Sequence, residues 1–448
     1  MNSPSVIVVG GGASGMMAAG RAAEMGAEVA LFEKTDGPGK KLLITGNTRC
    51  NITNMKEPAP FMDMFGRNGH FLHGAFRTFF REELLALLRR YGVETVVEPG
   101  GRVFPSSGRA GDVLGALKRY MSDQGAALSA GMKVSEIVVE AGRVSGVRVE
   151  GALWEARAIV VATGGASYPR TGSTGDGYGI AAKLGHTIVP LRPSLVPLVV
   201  RDKARAMSMQ GVSLRDVRLT AYQCGAEEVD LSVAVARDYG RGVGPARPPR
   251  TVIESRRGDV MMTHFGLGGP TTLLISLAIG DALTKGPVCV SIDLFPDMNS
   301  KQMDARLQQE FDRHGKRTYR NILEALLPHK MVGPIAATTG IDWERPANQI
   351  NAGERQSLLR SVKNLRFDVE GPLSMEAAFV TAGGVSLKDV DPRTMGSRLV
   401  DGLYFAGEVL DLDADTGGYN LQAAFSTGYV AGEYAALGCL ESYSPGLP

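Results

Sequence analysis

The 448-residue sequence predicts an α/β fold that is interrupted in the middle of the chain by a domain of a different kind. From residue 1 to about 190, short β-branched runs such as Val6 to Val9 and Val29 to Phe32 alternate with helical patterns, which is typical of a parallel sheet crossed by helices. The pattern changes over 191–372, and the strands and glycine turns return over 373–448. We therefore expect one α/β domain built from both ends of the chain.

The inserted segment is expected to contain two parts. Three prolines at 190, 193 and 197 mark its start, and β-patterned pieces follow as far as "VCVSIDLFP", from Val288 to Pro296. Between 300 and about 366, apolar residues recur at helical spacing. The pattern predicts a β-rich part over about 191–299 and a small helical part over about 300–366.

Composition argues against several classes of protein. The 49 Lys and Arg residues against 47 Asp and Glu residues give a net charge of +2, so the chain as a whole has no strong attraction to nucleic acid or anionic lipid. The longest apolar runs fall far short of the roughly 20 residues of a membrane helix, and the N-terminus lacks the features of an export signal. Four widely spaced cysteines suit a reducing compartment. We expect a cytoplasmic protein with no membrane span and no metal site.

The most informative motif lies at the N-terminus, in "VIVVGGGASGMMAAGRAAEMGAEVALFEK". It places Gly10, Gly12 and Gly15 in G-x-G-x-x-G spacing between a strand and an Ala-rich helix, and Glu33 at the end of the next strand. Gly10 permits a tight turn, Gly12 lets the backbone approach a pyrophosphate, and Gly15 lets the helix pack closely on the strand. Glu33 can accept hydrogen bonds from ribose hydroxyls and would repel a 2′-phosphate. The motif therefore predicts FAD or NAD as the ligand, and not NADP.

A second motif favours FAD over NAD. The stretch "GPGKKLLITGNTRCNITN", from Gly37 to Asn54, is far more polar than a simple connection requires. Its cations could pair with a pyrophosphate, and its amides and hydroxyls could bind the edge of a flavin ring. A solvated loop held by Asx turns is the alternative. Within this stretch, Cys50 beside Arg49 is either a nucleophile with a lowered pKa or, more commonly, a buried inert thiol.

A third motif, "VVATGGASYPRTGSTGDGYGIAAKLGH", contains a turn at Thr163, Gly164 and Gly165 after a strand, and a helix that begins near Asp176. A backbone rich in glycine can approach a ligand closely at such a turn. Glycine turns after strands are also routine structural features, so this motif alone leaves both interpretations open.

The fourth motif, "GLYFAGEVLDLDADTGGYNLQAAFSTGYVAGEYAAL", contains a strand that ends at Gly407 and Glu408 and a helix that begins at about Tyr419. The positive end of that helix, near Asn420, would stabilise the negative charge that a reduced flavin carries at N1 and O2. The alternative is a helix that only closes the domain, with Gly417 and Gly418 as turn residues.

These four motifs, together with "GRVFP", "PSLVPL", "MMTHFGLGGP" and "TAGGV", resemble the BaiN/YhiN-like family of FAD-dependent oxidoreductases over nearly the whole chain. The resemblance implies a Rossmann-type FAD domain of the glutathione-reductase kind, interrupted by a domain with a β-barrel-like part and a helical part. No His or Cys lies in an attachment pattern, so the FAD is expected to be non-covalent. Two positions depart from the family pattern, because Thr48 and Ala414 each replace a glycine.

The motifs and the resemblance together give the expected cofactor-binding positions. These are Gly10, Gly12, Ala13, Ser14, Gly15, Glu33, Lys34, Lys40, Lys41, Thr45, Asn47, Arg49, Cys50, Asn51, Val134, Ala162, Thr163, Gly164, Gly407, Glu408, Gly418, Tyr419, Asn420 and Leu421.

Three functions remain open, of which the first is preferred. An oxidoreductase would move hydride between flavin N5 and an unsaturated or amine-bearing small molecule, with NAD(P)H as the expected electron donor. The resemblance also allows an RNA-modifying enzyme that reduces uracil to dihydrouracil in ribosomal RNA, and a non-catalytic flavin-binding protein is the third possibility. In the RNA-modifying case the arginines of the Arg237–Arg257 region would hold phosphates, namely Arg237, Arg241, Arg247, Arg250, Arg256 and Arg257.

The sequence offers two candidates for a catalytic group. One is Cys50, and the other is His264 in "GDVMMTHFGLGGP", as a proton donor opposite hydride delivery. A histidine with a structural role is the more common case.

Overall fold

The structure, a computed structural model, describes residues 4–229, 237–243, 249 and 251–440. The chain divides into two compact units, each with a hydrophobic core of its own. The first unit combines residues 1–192 with 379–448, and the second unit is residues 193–378.

The chain up to residue 192 supplies most of the first unit, and the last strand of this part runs two residues past that boundary. Its strands are β1 (Val6–Val9), β2 (Val29–Glu33), β3 (Thr53–Asn54), β4 (Thr95–Glu98), β5 (Arg102–Pro105), β6 (Ala127–Ala130), β7 (Val134–Glu140), β8 (Arg143–Val149), β9 (Ala152–Glu155), β10 (Ala158–Val161) and β11 (Ile188–Ser194). Its α-helices are α1 (Ala13–Glu24), α2 (Lys40–Ile44), α3 (Pro58–Met62), α4 (His73–Thr78), α5 (Arg81–Arg90), α6 (Ala110–Asp123) and α7 (Asp176–Lys183).

The second unit follows, and the chain then returns to the first. The strands of the second unit are β12 (Leu198–Val200), β13 (Ser213–Tyr222), β14 (Val252–Met262), β15 (Gly266–Gly268), β16 (Cys289–Asp293) and β17 (Leu365–Pro372). Its helices are α8 (Lys203–Ser208), α9 (Pro270–Leu283), α10 (Ser300–Arg313), α11 (Tyr319–Leu326), α12 (His329–Thr339) and α13 (Ala352–Lys363). The returning segment forms β18 (Val380–Val385), β19 (Leu403–Phe405) and α14 (Tyr419–Leu440).

A five-stranded parallel sheet organises the first unit, in the order β19-β10-β1-β2-β6. All four residues of β1 are buried, as expected of a β-branched strand covered on both faces. The edge strand β19 comes from the C-terminal segment and pairs with β10. The predicted α/β fold, with a Rossmann-type sheet drawn from both ends of the chain, is confirmed.

Helix α14 packs against α1 so closely that two of its positions must be glycine. A Cβ on Gly428 would collide with the backbone of Ser14, and a Cβ on Gly432 would collide with the backbone of Ala18. The N-terminus of α14 is thereby fixed relative to the N-terminus of α1.

Within the described residues, no helix combines the length and the apolar character needed to cross a bilayer.

A closed six-stranded barrel forms the β-rich part of the second unit, in the order β12-β15-β14-β13-β16-β17. The predicted barrel-like part is therefore confirmed. The helical pattern extends to about residue 366 in the sequence, but α13 ends at Lys363 and β17 begins at Leu365. Leu365, Phe367 and Val369 are buried in alternation, so this stretch has the period of a strand and closes the barrel against β16 and β12.

Candidate cofactor-binding site

The turn after β1 shows what each glycine of the G-x-G-x-x-G motif does. Gly10 has φ 105°, and a Cβ there would lie 2.6 Å from the carbonyl oxygen of Ala162. A Cβ on Gly15 would collide with the carbonyl of Gly10. Gly12 is different, because a Cβ there would meet no atom within 4 Å. Gly10 and Gly15 thus allow close packing, whereas Gly12 leaves open space at the N-terminus of α1.

Glu33 lies at the carboxyl end of β2 and is 9% exposed. Its Oε2 accepts a hydrogen bond of 2.7 Å from the backbone N–H of Gly11, and its Oε1 accepts one of 2.8 Å from the N–H of Thr35. A carboxylate has further lone pairs to offer, so these two bonds orient Glu33 without using up its capacity to accept.

A single cavity with about 1430 Å³ of empty space, partly open to solvent, runs along the carboxyl edge of the parallel sheet within the first unit. Seventeen of the expected positions line it: Gly10, Gly12, Ala13, Ser14, Glu33, Lys34, Lys40, Lys41, Thr45, Val134, Ala162, Thr163, Gly164, Gly407, Glu408, Asn420 and Leu421. Seven expected positions are not part of the lining: Gly15, Asn47, Arg49, Cys50, Asn51, Gly418 and Tyr419.

Arg49 and Cys50 have other partners. The Arg49 guanidinium pairs with Glu98 and lies 4.2 Å from the centroid of the Phe104 ring. Cys50 is fully buried, and this burial raises the pKa of its thiol to about 12. Burial of this kind disfavours the thiolate form that a nucleophile needs, so the surroundings of Cys50 give its catalytic role no support, and that role stays a prediction.

The exposed residues of the same loop adopt a conformation that favours glycine. Asn47 has φ 55° and Thr48 has φ 66°, both in the left-handed region. Thr48 is the position at which the resembling family has a glycine, and a β-branched side chain is strained there. The departure from the family pattern therefore has a local conformational cost in this chain.

Asn51 and Asn54 hold the start of α14 rather than lining the cavity. With its amide oxygen facing α14, Asn51 accepts a hydrogen bond of 3.1 Å from the N–H of Gly418. Asn54 Nδ2 donates to the carbonyl of Gly417 at 3.0 Å. Tyr419 is buried, with its ring 4.8 Å from that of Phe61. The polar loop thus positions the helix N-terminus at the cavity.

Asn420 ties the loop before α14 to the helix. Its Oδ1 accepts from the N–H of Ala414 at 2.9 Å, and its Nδ2 donates to the carbonyl of the same residue at 2.9 Å. Asn420 and Leu421 line the cavity, so the first turn of α14 faces it.

Two ion pairs lie in the cavity wall. Lys34 Nζ is 2.7 Å from Asp176 Oδ2 and also contacts Thr174. Lys41 Nζ is 2.7 Å from Glu408 Oε2 and 2.8 Å from Ser167 Oγ. Each pair joins residues that are far apart in the sequence.

Several residues of the lining were missed by the sequence analysis. Thr171, Gly172, Ser173 and Asp176 come from the glycine-rich third motif, so the signal was present but was not assigned to these residues. Others, among them Met132, Lys133, Phe379, Val380 and Leu412, follow no recognisable pattern. Phe379 is 44% exposed, and its ring centroid lies 5.7 Å from that of Tyr168.

The remaining candidates belong to the second unit. His264 is exposed, with its ring 4.8 Å from that of Phe265, and its proposed catalytic role stays a prediction. Arg257 pairs with both Asp216 and Asp297.

Two other arginines of the Arg237–Arg257 region already contact groups of the protein. Arg256 pairs with Glu254 and donates to the carbonyl of Arg241, and the Arg237 guanidinium lies over the Tyr239 ring. Arg247 and Arg250 lie outside the described residues.

The residues present fit an extended dinucleotide. The cavity offers open backbone at Gly12, a carboxylate at Glu33, and the N-termini of α1 and α14. Two helix N-termini at one cavity favour a ligand that carries negative charge at two places. A dinucleotide with a reducible ring is such a ligand, because its phosphates are negative and its ring becomes negative on reduction.

Comparison with protein families agrees with this geometry. The model of the HI0933-like protein Rossmann domain matches residues 4–434. The chain belongs to the HI0933-like family.

Three relatives of this HI0933-like protein align over nearly their full length. The 3-dehydro-bile acid delta(4,6)-reductase of Clostridium scindens is 31% identical over 433 residues, which cover 96% of this chain and 98% of the relative. The ribosomal RNA dihydrouridine synthase of Haemophilus influenzae is 30% identical, and the alignment covers 94% of this chain and 96% of the relative. The protein of the same name from Escherichia coli is 28% identical, and the alignment covers 95% of this chain and 96% of the relative. The predicted family is confirmed, and the chain is an FAD-dependent oxidoreductase, which sets aside the non-catalytic alternative.

Proposed function

We propose that this HI0933-like protein binds one FAD non-covalently along the cavity and reduces a carbon–carbon double bond of a small molecule, with NAD(P)H as the electron donor. The observation that carries the proposal is that one cavity joins the open turn at Gly12, the Glu33 carboxylate and the first turn of α14. These three features match the pyrophosphate, the ribose and the reducible ring of one FAD molecule. A small molecule that bears an amine is the alternative substrate.

The residues of the chain would divide the work along the cavity. Glu33 would accept hydrogen bonds from ribose hydroxyls, and the N–H groups at the start of α1 would bind the pyrophosphate. The N-terminus of α14, held by Asn51 and Asn420, would stabilise negative charge on the ring. When bound, FAD supplies hydride transfer at N5.

The substrate is proposed to lie against an apolar surface at the same cavity. Phe379 is a large side chain in the lining that is 44% exposed, and Tyr168 packs against its ring. Exposed aromatic rings of this kind contact apolar or planar ligands. Two kinds of relative support reduction as the direction, since one is named a bile acid delta(4,6)-reductase and the others are named dihydrouridine synthases.

RNA modification is the second candidate, supported by the two dihydrouridine synthases among the relatives. The described arginines give this candidate less support than the sequence did. Arg256 and Arg257 already pair with carboxylates, so phosphate would have to compete with Glu254, Asp216 and Asp297. Strong salt-dependent retention on RNA would favour this candidate over the first.

The experiment has three steps. Purified protein should be yellow, and acid or heat should release FAD into the supernatant. Anaerobic mixing with NADH or NADPH in a stopped-flow instrument should bleach the flavin absorbance. The reduced protein should then be reoxidised by an α,β-unsaturated ketone, by an imine or by ribosomal RNA from cells that lack the gene. Reoxidation by RNA alone would overturn the small-molecule proposal, and released FMN would overturn the cofactor.

A further inference from the structure

Lys41 and Glu408 form an ion pair in the lining of the cavity, although they lie 367 positions apart in the chain. Lys41 Nζ donates to Glu408 Oε2 at 2.7 Å and to Ser167 Oγ at 2.8 Å. Both side chains are only about one-fifth exposed, at 23% and 20%. The two charges therefore face the ligand space from a wall that water reaches poorly.

The carboxylate is held independently of the lysine. Glu408 Oε1 accepts a hydrogen bond of 2.9 Å from the backbone N–H of Thr381 and one of 3.2 Å from the hydroxyl of Ser167. Thr381 is itself fixed, because its Oγ1 accepts from the backbone N–H groups of Ala166 and Ser167. Loss of the lysine would thus leave the carboxylate in place, and loss of the carboxylate charge would leave the lysine bonded to Ser167.

Charges fixed in this way act on a cofactor whose own charge changes. Two-electron reduction of a flavin places negative charge at N1 and O2. An ammonium group in the wall favours the reduced form, and a carboxylate favours the oxidised form, in both cases more strongly in a partly buried site than in water. The neighbouring Lys40 also lines the cavity, but it pairs with Asp36, whose side chain is 85% exposed and therefore screened by solvent.

We propose that Lys41 and Glu408 are positioning residues that set the redox potential of the bound flavin, with Lys41 raising the potential and Glu408 lowering it. The inference rests on the FAD binding proposed above and assigns the pair a role beyond holding the cofactor. The opposite charges largely cancel in the native protein, so that removal of either one unmasks the other. The competing role is a counter-ion for the pyrophosphate, in which case Lys41 would strengthen the binding of oxidised and reduced FAD equally.

The test measures the midpoint potential of the holoenzyme during anaerobic reduction by dithionite in equilibrium with a reference dye. Lys41→Met is expected to weaken the binding of reduced FAD at least tenfold relative to the binding of oxidised FAD. Such a change lowers a two-electron potential by about 30 mV. Glu408→Gln, which keeps the shape of the side chain, is expected to raise the potential by a similar amount. The double variant should return toward the native value. Lys40→Met, which removes the same charge from the adjacent position of α2, should give a smaller shift.

Other outcomes contradict the inference. Potentials that are equal in all variants, with weaker FAD binding in Lys41→Met alone, would assign Lys41 to the pyrophosphate. Equal shifts in Lys41→Met and Lys40→Met would show a general charge effect. If Lys41→Met does not retain FAD, Lys41→Arg, which keeps the positive charge, should have the native potential. The potential of Glu408→Gln then decides whether the pair acts on the flavin, because this variant is expected to raise it. Native protein without FAD would refute the proposed function, whereas bound FAD with unchanged potentials refutes only this inference.

Discussion

The Oε2 atom of Glu33 lies 2.7 Å from the backbone nitrogen of Gly11, which joins the end of β2 to the glycine turn after β1. The other carboxylate oxygen binds the N–H of Thr35, so Glu33 fixes the two backbone segments between which a ribose would lie. The side chain is therefore part of the scaffold of the site as well as a ligand candidate.

Glu33→Ala should weaken FAD binding by roughly 10- to 100-fold, since charge-assisted hydrogen bonds contribute about 1.5 to 3 kcal/mol. It should also lower the free energy of unfolding, because the N–H groups of Gly11 and Thr35 lose their acceptor. Titration of apoprotein with FAD measures the first effect and urea unfolding the second. Glu28→Ala, at the exposed position just before β2, is the control and should change neither. Unchanged FAD affinity in Glu33→Ala would remove Glu33 from the proposed site.

Asn420→Asp should lower both stability and flavin potential. The substitution replaces the Nδ2 donor by an oxygen that faces the carbonyls of Ala414 and Asp415, at 2.9 and 3.4 Å. Loss of these bonds is expected to cost about 1 to 3 kcal/mol, and the new negative charge at the first turn of α14 disfavours a reduced ring. Thermal unfolding and dye-linked potentials measure the two effects. Asn348→Asp, at an exposed position, should leave both unchanged, and a native potential in Asn420→Asp would show that α14 does not point at the flavin.

Thr48→Gly is expected to stabilise the protein. The left-handed conformation, with φ 66°, costs an L-residue roughly 1 to 2 kcal/mol, of which the greater freedom of glycine in the unfolded chain offsets about 0.5 to 1 kcal/mol. A net gain on the order of 0.5 kcal/mol should appear in denaturant unfolding. The control, Thr78→Gly in helix α4, should destabilise the protein because that position has helical geometry. Destabilisation in both variants would show that Thr48 is not strained.

Stability should fall as the pH drops below about 6.5, in part because of His186. This ring is buried, with Nε2 at 2.7 Å from Ser397 Oγ, and desolvation lowers its pKa from the ordinary value of 6.5. Below pH 6.5 the unfolded state therefore binds more protons than the folded state, and stability decreases until the folded pKa is reached. One proton accounts for at most about 1.4 kcal/mol per pH unit. His186→Gln should flatten the dependence between pH 5.5 and 7.5, whereas His70→Gln, at an exposed position, should not.

The two ends of the chain should fold only together. A fragment of residues 1–190 lacks β19 and α14, so that the buried surface of β10 and the face of α1 around Ser14 and Ala18 would be exposed. We expect this fragment to aggregate and to bind no FAD. A fusion of residues 1–192 to 379–448 through a Gly/Ser linker should instead fold and bind FAD, as circular dichroism and cofactor content would show. A soluble, FAD-loaded fragment of 1–190 would contradict a discontinuous domain.

Three features of the site could be predicted from the sequence, namely the strand β1, the turn at Gly10 to Gly15 and the acid at the end of β2. Each of these is encoded by residues close together in the chain, because strand burial, backbone sterics at glycine and helix initiation are local effects. For the same reason the sequence analysis placed the start of α7 near Asp176 and that of α14 at about Tyr419, where the structure has them.

The pairing of distant side chains could not be predicted from the sequence and follows from the path of the folded chain. The sequence assigned Lys41, Arg49 and Glu408 alike to the cofactor, but the chain path brings Lys41 to Glu408 and turns Arg49 toward Glu98 and Phe104. Pairing of this kind depends on which elements become neighbours once apolar faces are buried, and no local pattern records it. Cys50 shows the same limit, since its residue type allows a reactive thiolate, whereas its burial, which only the fold creates, raises the pKa of the thiol.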